Sequence, residues 1–242
     1  MNTDKKQALS AHLKAIRRML IVSVASVAVL FVLFFYLLCG PLVDFVLAPV
    51  RARGIEVITT SVSEALMMQF KVCLIAAVIA GMPVIIWQVW VFVAPALYPQ
   101  EKRLFAALFF VALLLFVGGV VFCYCLVFPM AIDLFWSAAD GVASTLWSVK
   151  EYFNFVLSFV LPFGLMFELP VVVYMLARRG LVTYQKLAHS RKYVILVIAI
   201  IAAILTPPDA VSQCMLAIPM ILLYEVAAQL ARLVKPKKPA EA

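Results

Sequence analysis

Between Tyr152 and Ala177 the chain carries one charged residue, Glu168. A helix needs roughly 20 consecutive apolar residues to cross the ~30 Å hydrocarbon core of a bilayer, and this run is long enough. Inside lipid every backbone N–H and C=O must be satisfied within the segment, so the run has to be helical. A carboxylate in the middle of such a helix costs several kcal/mol, about 2.5–3.5 on insertion scales, unless it is paired or hydrated. Leucine would cost nothing there. Glu168 is therefore expected to serve a substrate or a partner helix. The alternative is a neutral carboxyl hydrogen-bonded inside the bundle.

Five more apolar runs surround it, at about 19–38, 66–93, 104–128, 193–205 and 210–230. Hydrophobic residues make up 67% of the 242, against about half in a soluble domain. The runs are continuous and lack the short alternation of barrel strands. The expectation is an all-α membrane protein of six transmembrane helices in a single domain over 1–242. An amphipathic surface helix is expected over 1–18, where Leu9, Leu13, Ile16 and Leu20 recur at helical spacing behind a candidate N-cap, Ser10. The six-span bundle would occupy 19–231 and a basic tail 232–242.

The net charge of +8 does not point to nucleic acid, because the basic residues fall between the apolar runs. Sixteen of the twenty Lys and Arg residues lie in the N-terminal segment, the second and fourth connections and the tail. That asymmetry places both termini on the cytoplasmic side. The five cysteines form no CxxC pair, and neither His12 nor His189 belongs to a metal-ligand set. No GxxxxGK[ST] or HExxH pattern is present. No cleavable signal peptide is expected, because the first run is too long for an h-region. No cofactor or metal is called for, and no catalysis.

Prolines and glycines punctuate the runs. Gly40-Pro41 is expected to end the first span, Pro83 to kink the second and Pro129 to end the third; Pro162 and Pro170 should interrupt the fourth. Gly118-Gly119 permits close helix contact. Outer loops are expected at 41–65 and 130–150, with Trp136 and Trp147 in an interfacial belt, and an inner loop at 177–192. The fifth run, Tyr193 to Leu205, has only thirteen residues, about 20 Å of helix. Either this pair extends through its flanks or the bilayer thins locally. Short fifth and sixth helices are expected on one side of a concave bundle.

Thr206-Pro207-Pro208-Asp209 reads as a hairpin turn, with Asp209 capping the sixth helix. Thr206, Asp209, Ser212 and Gln213 form a polar cluster that is either turn chemistry or a hold for a partner helix. Glu225 reads as a snorkelling or locally paired acid. Glu101 is the only acid of the inner segments away from the termini. It is either a solvated loop residue or an anionic spot able to receive a cationic peptide group.

His12-Leu13 followed by Arg17, Ala94-Pro95-Ala96-Leu97-Tyr98 with Glu101 and Arg103, Phe167-Glu168-Leu169-Pro170, and Leu205-Thr206-Pro207-Pro208-Asp209 with Ser212-Gln213 and Ala217-Ile218-Pro219 occur in that order. Together they resemble the signatures of the TatC family, the multispanning subunit of twin-arginine protein translocases, over nearly the whole chain. The resemblance implies a receptor in the bacterial inner membrane. It would bind twin-arginine signal peptides of folded cargo at its cytoplasmic face and self-associate in a translocase complex. It would also assemble with single-span TatA and TatB partners for export driven by the proton-motive force. It implies a signal-peptide site at Glu101, Arg17, His12, Leu97, Tyr98 and Arg103, an intramembrane polar site at Glu168, and partner-helix docking at Thr206, Asp209, Ser212 and Gln213. The family carries a glutamate at the position held here by Ala15, so one of two acidic contacts for the signal peptide is absent. A small-solute transporter and a structural paralogue with altered signal recognition are the competing readings.

Overall fold

The structure is a computed structural model that describes residues 2–93, 102–139, 146–206 and 209–234. Its helices are α1 (Asn2–Leu37), α2 (Cys39–Arg51), α3 (Glu64–Val93), α4 (Lys102–Phe122), α5 (Phe128–Ala139), α6 (Val149–Phe167), α7 (Leu169–Arg178), α8 (Tyr184–Leu205) and α9 (Ala210–Leu233), with two short strands, β1 (Val57–Ile58) and β2 (Trp147–Ser148). Among the described residues six stretches are long and apolar enough to cross a membrane, as the sequence predicts. The last two, Tyr184–Leu205 and Ala210–Leu233, are the shortest of the six, at 22 and 24 residues.

The chain divides into two compact units, residues 1–48 with 61–113, and residues 49–60 with 114–242. In the first, α1 packs along α3. Gly81 permits this approach: a Cβ there would lie 3.3 Å from a Val27 methyl and 3.6 Å from Leu30. Phe35 and Phe70 stack in parallel at 4.7 Å between centroids. The start of α3 is closed by Ser61, whose N–H donates to the buried Glu64 carboxylate at 3.1 Å while its carbonyl accepts from Glu64 N–H.

In the second unit the end of α4 packs on α6 through two glycines. A Cβ on Gly119 would meet the Phe163 carbonyl oxygen at 2.8 Å and the Phe167 ring at 2.9 Å, and one on Gly164 would meet the Phe116 ring at 2.6 Å. Gly118, by contrast, has open space. Gly119→Ala should therefore destabilise the protein by about 1–3 kcal/mol, because backbone has to move. Gly118→Ala should be close to neutral, and thermal unfolding of the two variants in detergent makes the comparison.

Several boundaries differ from expectation. Ser10 lies inside α1, which runs without a break from Asn2, so it does not stand at a helix start. The first span ends at Leu37, just before Gly40-Pro41 as expected, but the pair falls in the first turn of α2, where proline has no intrahelical donor to lose, and α2 fills half of the expected outer loop. Pro129 does not end its span. A π-helical turn over Cys123–Val127, with Phe128 N–H donating to the Cys123 carbonyl, widens the helix just before it, and the helix resumes as α5 with Pro129 in its first turn. The inner connection contracts to 179–183, since α8 starts at Tyr184 with Thr183 as its cap, accepting from Lys186 N–H at 3.4 Å. The thirteen-residue apolar run is thus carried by a longer helix that extends through its polar flank.

The sequence offered no sign that β1 and β2 pair in parallel, Val57 with Trp147 and Ile58 with Ser148. Arg53 clamps the same region, donating from Nε to Asp133 Oδ1 at 2.6 Å, from Nη2 to Oδ2 at 3.1 Å and from Nη1 to the Pro49 carbonyl at 2.9 Å. That bidentate bond to Asp133 raises the Arg53 pKa above the usual arginine range.

Candidate functional site

The fourth span is broken at one residue, and that residue is Glu168. It is both the last-turn cap of α6 and the first cap of α7, with φ −75° and ψ −18°. Its N–H donates to the Leu165 carbonyl at 3.1 Å, a tight three-residue turn, and its own carbonyl accepts from Val171 and Val172. Pro170 causes the break, since it has no N–H to continue the α6 ladder and sits at the start of α7, where none is needed. Measured along the helix, Glu168 lies about 15 Å from the end of the span at Arg178. Its Oε1 is buried and has no hydrogen-bond partner among the described residues. The span thus carries a buried acceptor that the described residues leave unmatched, at the very residue where the helix breaks.

The second group of polar residues sits at the α8–α9 turn. Asp209 caps α9 as the sequence predicts, accepting from Ser212 N–H at 2.6 Å. The Thr206 hydroxyl is buried and donates to the Ala202 carbonyl at 2.8 Å, inside its own helix. Gln213 reaches across the hairpin, its Nε2 donating to the Ala199 carbonyl at 3.0 Å. Ser212 is fully buried, with a hydroxyl that has no partner among the described residues. Part of this cluster is therefore consumed in holding the hairpin, as the turn-chemistry reading requires. Asp209 also borders a cavity of about 340 Å³ walled by Phe135, Trp147, Tyr152 and Phe155, which places Trp147 and the hairpin turn together at one end of this unit.

Of the residues expected to receive a signal peptide, Leu97, Tyr98 and Glu101 lie outside the described residues, as do Pro207 and Pro208 of the hairpin. Arg17 is exposed on α1, His12 lies five residues before it on the same helix, and Arg103 falls in the first turn of α4.

Glu225 proves to be the locally paired acid. Its Oε1 accepts from Arg191 Nη2 at 2.5 Å and from Gln229 Nε2 at 2.9 Å. The partner was discoverable: Arg191 precedes Thr206 by about as many residues as Glu225 follows Asp209, so an antiparallel hairpin sets them opposite one another. Nothing comparable flagged Arg53 and Asp133, which are 80 residues apart.

The family model described as Sec-independent protein translocase protein (TatC) matches residues 11–219. A Carboxydothermus hydrogenoformans protein named Sec-independent protein translocase protein TatC is 38% identical over 236 residues, covering 97% of each chain. One of the same name from Haemophilus influenzae is 36% identical over 239 residues, covering 98% of this chain and 93% of its own. Among solved structures, a crystal structure of the twin-arginine translocase receptor TatC superposes with a TM-score of 0.86 at 36% identity, covering 92% of this chain and 98% of that one.

Proposed function

The chain belongs to the TatC family of multi-pass protein-translocase subunits, and from that premise we propose how it works as the receptor of the twin-arginine translocase. It sits in the bacterial cytoplasmic membrane with both termini on the cytoplasmic side and turns over no substrate chemically. Glu101 receives the paired arginines of a signal peptide, with Arg17, His12, Leu97, Tyr98 and Arg103 completing the cytoplasmic surface. A planar guanidinium fork matches a carboxylate in two parallel hydrogen bonds and a lysine ammonium does not, which accounts for an arginine-specific signal. Glu168 offers its unmatched carboxyl to a helix entering the bilayer. Asp209 and Gln213, backed by the buried Thr206 and Ser212, form the edge on which a single-span TatA- or TatB-type partner docks.

The observation that carries this reading is the break at Glu168. A bundle serving only as scaffold has no use for a buried acceptor without a partner at a kink in a span, and every apolar alternative is cheaper. The test is photo-crosslinking in membranes with Glu101 intact: a probe at the neighbouring position 100 should capture a twin-arginine signal peptide and fail to capture one whose two arginines are changed to lysines. A probe that captures neither peptide, or both equally, removes the receptor reading.

Ala15 carries its own expectation. Ala15→Glu places a carboxylate two residues before Arg17 and should tighten signal-peptide binding by about 3- to 10-fold, the range of one added charge-assisted contact at an exposed site. Titration of a labelled peptide against nanodiscs of the two proteins measures it, and equal affinities would mean that this position does not touch the peptide.

A further inference from the structure

We propose that the polar ends of α7, α8 and α9 form a binding site for the phosphate of an anionic phospholipid, held between Arg191 and Arg232 with Arg179 beside them. The site rests on residues separate from those assigned to signal peptide or partner helix.

Tyr184 is the first residue of α8. Its ring has Arg191 Cζ 6.0 Å from the centroid and Arg232 Cζ 5.8 Å from it, so guanidiniums from two helices converge on one aromatic side chain. Arg191 also donates from Nη2 to the Tyr184 hydroxyl at 3.4 Å and to Glu225 at 2.5 Å. Glu225 balances one guanidinium. Arg232 is exposed and in no ion pair among the described residues. Two donors there are unmatched: Arg191 Nε and Arg179 Nη2 are buried with no hydrogen-bond partner among the described residues. Both atoms face protein, so what stands open to a ligand is the exposed Arg232 and the rest of the partly exposed Arg191 guanidinium.

The elements that carry the three arginines are brought together by packing beneath them. Val173 and Ala177 of α7 and Ala227 and Ala231 of α9 form a buried cluster, with Leu187 of α8 and Val234 packed against it. Small residues let the helices approach closely, and Tyr224 pins α9 to α8 by donating to the Leu187 carbonyl at 2.8 Å. Arg179 follows α7 directly, while Arg191 and Arg232 each lie within about a turn of that cluster.

Depth and chemistry select the ligand. The flank Tyr184–Lys192 precedes the apolar run that starts at Tyr193, so the guanidiniums lie at headgroup level. Exposed Ile195, one turn deeper than Arg191 on the same face of α8, continues the surface towards the hydrocarbon and would lie along an acyl chain. A phosphodiester presents the acceptor oxygens that guanidinium forks match, and basic pockets between helix ends bind anionic headgroups. The first turn of α8 adds its positive dipole end to the same field. An acidic peptide would satisfy the charges and leave the apolar surface uncovered.

The experiment uses the full chain in nanodiscs of phosphatidylcholine containing a minor fraction of phosphatidylglycerol, with retained lipid counted by native mass spectrometry. The wild-type protein should retain phosphatidylglycerol in preference to phosphatidylcholine. Arg232→Gln should weaken that retention about fivefold with phosphatidylcholine unchanged. Arg191→Lys, which keeps the charge opposite Glu225 and loses the fork, should also weaken it. Retention without preference for phosphatidylglycerol, or a preference untouched in both variants, overturns the proposal. In phosphatidylcholine discs, inorganic phosphate or a glutamate-rich peptide that shifts the unfolding temperature as phosphatidylglycerol does, with the same dependence on Arg232, would also overturn it by making the ligand soluble.

Discussion

Glu168→Leu should make the isolated protein more stable and the translocase less active. The carboxyl has a buried oxygen with no partner among the described residues. An apolar side chain of similar reach removes that desolvation cost, a gain of about 1–3 kcal/mol on protein scales for an unmatched polar group. Function moves the other way. A polar contact between helices inside lipid contributes about 0.6–2 kcal/mol, so losing it should weaken association of the entering helix by about 3- to 30-fold. Glu168→Gln separates the two roles of the group. It keeps shape and hydrogen bonding and removes ionisation. If the contact alone matters, the glutamine variant exports at close to the wild-type rate while leucine does not; if both fall together, the proton is part of the step. Thermal unfolding in detergent and export of a folded reporter in cells give the paired readout. A leucine variant that is less stable as well as less active would mean that Glu168 holds the α6–α7 break itself and is no foothold.

Glu101→Gln should cost more than any other single change at the cytoplasmic surface. Hydrogen bonds to charged groups contribute about 1.5–3 kcal/mol each, so neutralising the acceptor should lower signal-peptide affinity by about 10- to 100-fold. Ala15 stands where the resemblance places a second acid for the same peptide, so the loss should exceed that of the same change made alongside Ala15→Glu. Peptide titration against the two single variants and the double variant in nanodiscs closes the cycle. Identical losses in the presence and absence of the Ala15→Glu substitution would mean that the two positions do not share a ligand.

What was readable in advance divides along a physical line. Six spans, the single-residue anomaly at Glu168 and the cap at Asp209 all follow from local rules, because apolar length, an isolated charge and an N-cap act over a few residues. Boundaries set by proline were less readable. Pro129 looks like a stop in sequence, yet the π-helical turn at Cys123–Val127 lets the helix pass it; Pro170 does break its span, because the break coincides with the start of α7. Signal-peptide residues came from motif order alone, and their role rests on family membership.

Sequence by itself determined that this protein lives in a bilayer, how many times it crosses and where its one deep carboxyl lies, since lipid imposes the same demand on every residue of a span. Only the tertiary structure decided which polar atoms remain unspent. Thr206 and Gln213 turned out to bond within their own hairpin, Glu225 to Arg191, and Arg53 to Asp133. Glu168, by contrast, kept an oxygen without a partner among the described residues. The long-range pairs depend on which helices meet and at what register: counting from the hairpin turn sets Glu225 opposite Arg191, whereas Arg53 and Asp133, 80 residues apart, meet only through packing that no local pattern encodes.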